Sequence, residues 1–265
     1  MQQARSIVIA LSLLLLCAVA TSGEPPAPAA PAAPEEGACQ PALAADKDGK
    51  LYLAYAAGVP RLAWLRTSTD NGTTWSEPEL ASTGVNAVMA GMTRGPRLAI
   101  TPEGVVILTA HAKADAKADM HLYCFRKGPK DKAFSGKRLT TEAAKDSEGM
   151  HDMCVDGKGV VHVAWLDNRE AVKGSQPWYA RSSDDGKTFK GEMVVYKSPS
   201  GSICPCCAPA LAASEDGKTV VMHFRNQLKG DTGENMHDIH TTTSTDGGKR
   251  WGAPLRLDDR QRWKG

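Results

Sequence analysis

One eight-residue pattern occurs three times in the chain, and it restricts the fold more than any other feature. Ser68-Thr69-Asp70-Asn71-Gly72-Thr73-Thr74-Trp75 reads Ser-x-Asp-x-Gly-x-Thr-Trp. Residues 182–189 repeat it with Phe189 in the aromatic place, and residues 244–251 repeat it with Arg250 in the place of Thr74. Each position has a physical reason. Asp70, Asp184 and Asp246 offer carboxylate oxygens to the turn's own backbone N–H groups, and Gly72, Gly186 and Gly248 supply the positive φ of a tight hairpin. Trp75, Phe189 and Trp251 anchor the loop against the strands it joins. A turn of this kind joins antiparallel strands, so its repetition predicts a chain built of hairpins.

Aligning the chain with itself yields a unit of about 55 residues, long for a solenoid and suited to a propeller blade. Pro41-Ala42-Leu43-Ala44, Pro96-Arg97-Leu98-Ala99, His151-Asp152-Met153-Cys154 and Pro209-Ala210-Leu211-Ala212 occupy one slot, each leading through a Gly turn into a strand. Second strands are predicted at 51–55, 105–110, 160–165 and 220–225, and third strands at 61–67, 121–126, 178–182 and 239–244. The turn motif joins the third strand to the fourth in units one, three and four. Unit two reads Gly128-Pro129-Lys130-Asp131-Lys132-Ala133-Phe134 instead. No helical periodicity appears, so radial antiparallel sheets are expected.

The motif and its spacing resemble the Asp-box (BNR) repeat of the sialidase and neuraminidase-like β-propellers. The resemblance covers Cys39 to the end of the chain. It implies an all-β propeller of sialidase type, with about four blades present of six and Arg262-Trp263-Lys264-Gly265 leading into a fifth. On this reading residues 39–265 are the N-terminal part of a longer propeller or a truncated copy, and a closed four-bladed propeller is the alternative. Asp-boxes brace blades and do no chemistry, so the motif speaks to the fold before the reaction.

Residues 1–20 read as an export signal: Arg5 precedes an apolar run, and Ala18-Val19-Ala20 offers a small-x-small cleavage site. The run is too short and wrongly flanked for a membrane span. A lipoprotein site at Cys17 is the rival, against which stands bulky Leu16. Residues 21–38 form a Pro/Ala-rich linker that cannot build a core. The expected location is therefore secreted, extracellular or periplasmic. Net charge is +2 with no basic stripe, which excludes nucleic acid as an expected partner.

Alternating strands place the motif turns on one face, and the loops between strands two and three and before strand one on the other. The long polar segments at 80–94, 111–120, 140–150, 166–177, 197–207 and 226–238 belong to this second face, where a rigid scaffold presents functional residues. Arg97, His151 and Asp152 begin strand one of their units; Asp167 and Arg169 leave strand two of unit three, and Arg225 and Asn226 leave strand two of unit four. A sialidase-like site needs Arg forks to hold a substrate carboxylate, a carboxylic acid to protonate the leaving oxygen, and a Tyr nucleophile with a Glu partner. The resemblance thus nominates Arg97 and Arg225 as forks and Asp152 as the acid, with His151, Asp167, Arg169 and Asn226 as further substrate contacts. The bland reading has the arginines pairing with neighbouring carboxylates or capping loops. Two departures stand out: the family's Arg-Ile-Pro sequence is absent, and none of Tyr52, Tyr55, Tyr123, Tyr179 and Tyr196 stands out as nucleophile. The expected function is a sialidase-like exo-glycoside hydrolase acting on sialic acid or a similar acidic terminal sugar of extracellular glycans, by retaining chemistry. The alternative is a non-catalytic propeller binding glycan or protein, or an inactive fragment. No cofactor is called for.

Six cysteines follow the signal: Cys39, Cys124, Cys154, Cys204, Cys206 and Cys207. An even count in an exported chain favours disulfides, with connectivity open. Cys207 falls in register with Cys39, 168 residues earlier. Disulfide stapling among Cys39, Cys204, Cys206 and Cys207, a soft-metal site using these thiolates with His151 or His223, and an unpaired thiol all remain open. His111, His121, His162, His237 and His240 show no metal-ligand spacing and are expected on surfaces or loops. Asn71-Gly72-Thr73 is formally a glycosylation sequon, but the turn already explains it.

Overall fold

The computed structural model describes residues 37–146, 149–169, 174–229 and 235–257. The export signal, the linker up to residue 36, and the expected run-in at 262–265 lie outside the described residues. What is described is all-β, with no helix. Sheet one contains β1 (Cys39–Ala45), β2 (Leu51–Ala57), β3 (Leu62–Ser68) and β4 (Glu79–Leu80). Sheet two contains β5 (Ala87–Val88), β6 (Arg97–Ile100), β7 (Val106–Lys113), β8 (His121–Lys127) and β9 (Ser135–Arg138). Sheet three follows with β10 (His151–Val155), β11 (Val161–Asp167), β12 (Gln176–Ser182) and β13 (Lys190–Val194). Sheet four has β14 (Ala210–Ala213), β15 (Val220–Lys229), β16 (Asn235–Ser244) and β17 (Leu255–Arg256). All pairings are antiparallel and sequential, except that β5 and β6 both pair with β7.

The first long strands of the sheets stand side by side in the order β1, β6, β10, β14. The turns that follow them, carrying Asp48, Glu103, Asp156 and Glu215, line one cavity of about 680 Å³. Four sheets around a shared cavity form a propeller-like arrangement. The four turns are built alike. Asp46 Oδ1 accepts the Lys50 amide at 3.0 Å, Thr101 Oγ1 the Val105 amide at 3.2 Å, Asp156 Oδ1 the Val160 amide at 2.9 Å and Ser214 Oγ the Thr219 amide at 2.9 Å. The acidic residues at this mouth include turn fixers, which explains Asp46 and Asp156 without a ligand.

The three motif turns share one geometry. Ser68 Oγ donates to Asp70 Oδ1 at 2.7 Å and accepts the Gly72 amide at 2.9 Å, while Asp70 takes the amide and hydroxyl of Thr74 at 2.8 and 2.5 Å. Ser182, Asp184 and Thr188 reproduce the set. In the third copy Arg250 replaces Thr, and its Nε reaches Asp246 Oδ2 at 2.8 Å, so the second oxygen keeps its donor. Hydrogen bonds from the Thr74 hydroxyl and amide hold Asp70 down to about 2.

These turns also lock neighbouring sheets together. A Cβ on Gly186 would stand 3.0 Å from Ile107 Cδ1 in sheet two, and one on Gly248 would stand 1.9 Å from Tyr179 Oη in sheet three. Phe189 packs in the core between sheets two and three, and Trp251 meets Tyr179 edge-on at 5.0 Å. An arginine from the preceding sheet secures the second and third turns: Arg126 Nε donates to Asp185 O at 3.0 Å, and Arg181 Nη1 to Gly247 O at 3.2 Å. Register makes Thr67, Arg126 and Arg181 equivalent, since they pair with Tyr52, Ile107 and His162 one step inside each strand end. Sheet one therefore lacks this arginine at the junction where sheet two lacks the turn. A groove of about 670 Å³ lies there, lined by Thr67, Gly128 and Asp131 among others.

Three expectations about the chain path change. The polar segment 226–238 is largely a continuation of the β15–β16 hairpin, with Asn226 paired to Asp238. Segment 80–94 contributes β5 to sheet two. His111, His162 and His240 are buried, at 1%, 0% and 8% exposure, where surface or loop positions were expected. For His111 and His162 the reason is that β7 and β11 are covered on both faces by adjacent sheets, so both parities of the strand turn inward, while His240 on β16 stacks on Tyr196 and Phe224.

Candidate functional site

Arg97, His151 and Asp152 lie on the rim opposite the motif turns, because a strand entering from that side carries them at its start. Arg97 opens β6 and Asp152 is second in β10. They hold the same slot in adjacent sheets and meet there: Arg97 Nε lies 3.4 Å from Asp152 Oδ1. Asp152 Oδ2 accepts the Leu211 amide of β14 at 2.8 Å, so one carboxylate links sheets two, three and four. Both side chains remain partly open, 29% and 24% exposed. Burial raises the Asp152 carboxyl above its ordinary value, against the Leu211 and Met153 amides and Arg97, which all pull it down. A carboxyl held toward its protonated form beside a guanidinium can donate a proton to a leaving oxygen next to an anion holder.

Behind this pair sits a buried polar cluster that the sequence reading did not assemble. His151 Nε2 lies 3.2 Å from Thr109 O and 3.1 Å from Thr109 Oγ1, and Thr109 is the register partner of Arg97. The His111 ring meets His151 edge-on at 5.0 Å. Neither His111 nitrogen makes a hydrogen bond; Asp146 Oδ2 stands 4.0 Å from its Nε2. Asp146, fully buried, binds His121 Nδ1 at 2.7 Å, the Leu122 amide at 2.8 Å and Thr140 Oγ1 at 3.1 Å. Burial lowers His111 to about 4, with Asp146 pulling the other way. Burial, then the charges of His111 and Arg97, lower His151 well below the ordinary imidazole range. Both rings are thus neutral at pH 7 and serve as a rigid floor. The signal for Thr109 and His111 was their alternation along β7, masked by the alanines around them.

The remaining nominees are engaged elsewhere. Asp167 is fully buried and accepts from the Lys145 amide, Trp165 Nε1 and the Arg169 guanidinium, whose Nη2 is 2.6 Å away. Arg169 also binds Glu192 and Thr141 and lies 3.9 Å over the Trp178 ring. Asn226 is buried, accepting from Ser198 Oγ at 2.9 Å and donating to Tyr196 Oη at 3.2 Å. Arg225 was expected at a strand end; it lies inside β15, paired with Ile239, and its Nη1 faces Cys204 and Cys207 Sγ at 3.8 and 3.7 Å. Arg97, for its part, pairs with the neighbouring carboxylate of Asp152.

The cysteines also depart from expectation. All six are free, and no pair among the described residues is bonded. Cys204, Cys206 and Cys207 instead converge, with Sγ separations of 3.0, 3.6 and 3.7 Å. The tyrosines do not supply an activated nucleophile. Burial pushes Tyr52 to about 12 and raises Tyr123 and Tyr179, the direction opposite to activation. Tyr55 Oη accepts Arg66 Nε at 3.3 Å.

Sequential antiparallel sheets around one cavity, with the polar pair on the strand-entry rim, make this a β-propeller-like all-β protein. Several solved structures of similar fold are named as glycan-acting enzymes. A Penicillium chrysogenum α-L-arabinanase is 13% identical, with a TM-score of 0.60 over 86% of this chain and 69% of that one. A leech intramolecular trans-sialidase is 12% identical, TM-score 0.59, over 91% and 54%. The α-L-arabinofuranosidase of Fusarium graminearum is 12% identical, TM-score 0.56, over 83% and 66%, so this chain spans just under two thirds of that enzyme and about half of the leech enzyme. At such identities the likeness is one of fold. No family model matches the sequence, and no curated protein matches it either.

Proposed function

We propose that this chain is a secreted, glycan-acting propeller protein that binds a terminal acidic sugar at the Arg97–Asp152 rim. The observation that carries the proposal is the pair itself: a guanidinium and a partly buried carboxyl with raised proton affinity, 3.4 Å apart where three sheets converge. The glycoside hydrolases of similar fold support a carbohydrate ligand. The three Asp-box turns support the narrower sialidase-like reading, in which Arg97 holds the sugar carboxylate and Asp152 protonates the leaving oxygen. Arg97 would then exchange its contact with Asp152 for the substrate, leaving Asp152 still more inclined to hold a proton.

A second reading, binding without turnover, is favoured by the tyrosines, whose hydroxyls are raised by burial or engaged in hydrogen bonds. A panel of fluorogenic sialosides and arabinofuranosides, run alongside calorimetry with sialic acid and its neutral amide, separates the two. Sialoside turnover lost in Asp152→Asn supports the hydrolase. Carboxylate-dependent binding without turnover, weakened at least tenfold in Arg97→Lys, supports the binding protein. Equal affinity for acid and amide with no turnover overturns both.

A further inference from the structure

We propose that Cys204, Cys206 and Cys207 form a three-coordinate thiolate site for a soft monovalent cation, of which Cu(I) is the biological member. Three sulfurs bound at about 2.3 Å to a single ion lie roughly 3.8–4.0 Å apart, by the geometry of metal–thiolate bonds. Two of the three separations here, 3.6 and 3.7 Å, are within a few tenths of that, and the third, 3.0 Å, needs to open by less than an ångström. Cys204-Pro205-Cys206-Cys207 is a tight segment, so the adjustment is a matter of side-chain rotation.

The scaffold under the sulfurs is set before any ion arrives. Ile203, fully buried, forms bridges to both Ser175 and Asn226, and its amide donates to Ser175 O at 2.8 Å. The Cys204 amide donates to Arg225 O at 2.9 Å. Ser202 Oγ accepts the Ser175 amide at 3.0 Å, and Gln176 Oε1 accepts the Ser198 amide at 3.0 Å. The loop before β14 is thus stitched to β12 and β15 on either side. Such preorganisation is what a metal site requires of its supporting shell. Cys204 is buried, Cys207 half-buried and Cys206 exposed, which leaves an open path for entry.

Donor chemistry selects the ion. Among the described residues the convergent group is all sulfur, with no imidazole or carboxylate completing a tetrahedron. Zinc takes four ligands in structural sites, whereas an all-thiolate set of three suits Cu(I). The Arg225 guanidinium, 3.7–3.8 Å from two of the sulfurs, offsets the negative charge of a three-thiolate complex. Binding forms three Cu–S bonds with no change in oxidation state, and the displaced thiol protons pass to solvent.

The test is anaerobic titration of the full-length reduced protein with Cu(I) against bathocuproine disulfonate, followed by X-ray absorption at the copper edge. One copper per chain with three sulfur neighbours is expected. Cys204→Ser, Cys206→Ser and Cys207→Ser should each weaken it at least 100-fold, and Arg225→Gln about tenfold, while Cys39→Ser and Cys154→Ser leave it unchanged. Far-UV circular dichroism of each variant controls for folding. Affinity no higher than that of glutathione, or a stoichiometry unchanged in the folded triple-Ser variant, overturns the site. So does zinc retained against excess Cu(I), or a Cys204–Cys206 disulfide whose reduction yields no copper binding.

Discussion

The sharpest consequence of the buried histidines is a pH-dependent stability that a single substitution should reduce. His111 is 1% exposed, has no hydrogen-bond partner on either nitrogen, and is lowered by burial to about 4. An unfolded His titrates near 6.5. The unfolded chain therefore binds more protons than the folded one between these values. The contribution is fully present above pH 6.5 and is lost as pH falls towards 4. Each pH unit inside that window is worth about 1.4 kcal/mol, so taking the protein from pH 7 to pH 5 should cost about 2 kcal/mol through His111 alone. His151 shifts in the same direction and adds to the loss. Hydrogen bonds within its turn hold the Asp70 carboxyl down to about 2, outside this range. Urea unfolding at pH 7, 6 and 5 measures the slope, and His111→Gln should lower it by the His111 share whatever its effect on absolute stability. A His111→Gln protein with the wild-type slope would show that the ring is not held neutral by burial, and the reasoning fails.

Gly248→Ala should destabilise the protein by about 3 kcal/mol or more, since the added Cβ lands 1.9 Å from Tyr179 Oη at a φ of +81°; a melting temperature within a degree or two of wild type would contradict it. Arg181→Ala should cost about 1–2 kcal/mol by removing the guanidinium bond to Gly247 O. Thr67→Ala, at the equivalent place with no such turn to hold, should be near neutral in the same urea titration.

Local patterning carried most of the fold. The Ser, Asp and Gly positions of the turns are local chemistry, with the hydrogen bonds among them spanning no more than four residues, and they were legible in full. The 55-residue slot alignment likewise placed β6, β10 and β14 on one rim, because equivalent strands in a repeat enter from the same side. It even put Arg97 and Asp152 in the same slot of adjacent units. That they meet at 3.4 Å depends on how closely neighbouring sheets approach, which no position in the sequence encodes by itself.

Tertiary structure decided what each polar side chain does. Asp167 and Arg169 read as substrate contacts leaving a strand; burial against Trp178 and Glu192 turned them into a brace. Asn226 read as a loop residue until the β15–β16 hairpin ran past it. Cysteine count and compartment argued for disulfides, but sulfur pairing depends on separations of a few tenths of an ångström, and here three thiols meet without a bond. Turns and strand order follow from contacts near in sequence. The rim pair, the histidine floor and the thiol cluster arise from contacts between segments far apart in the chain, and only the packed sheets bring those together.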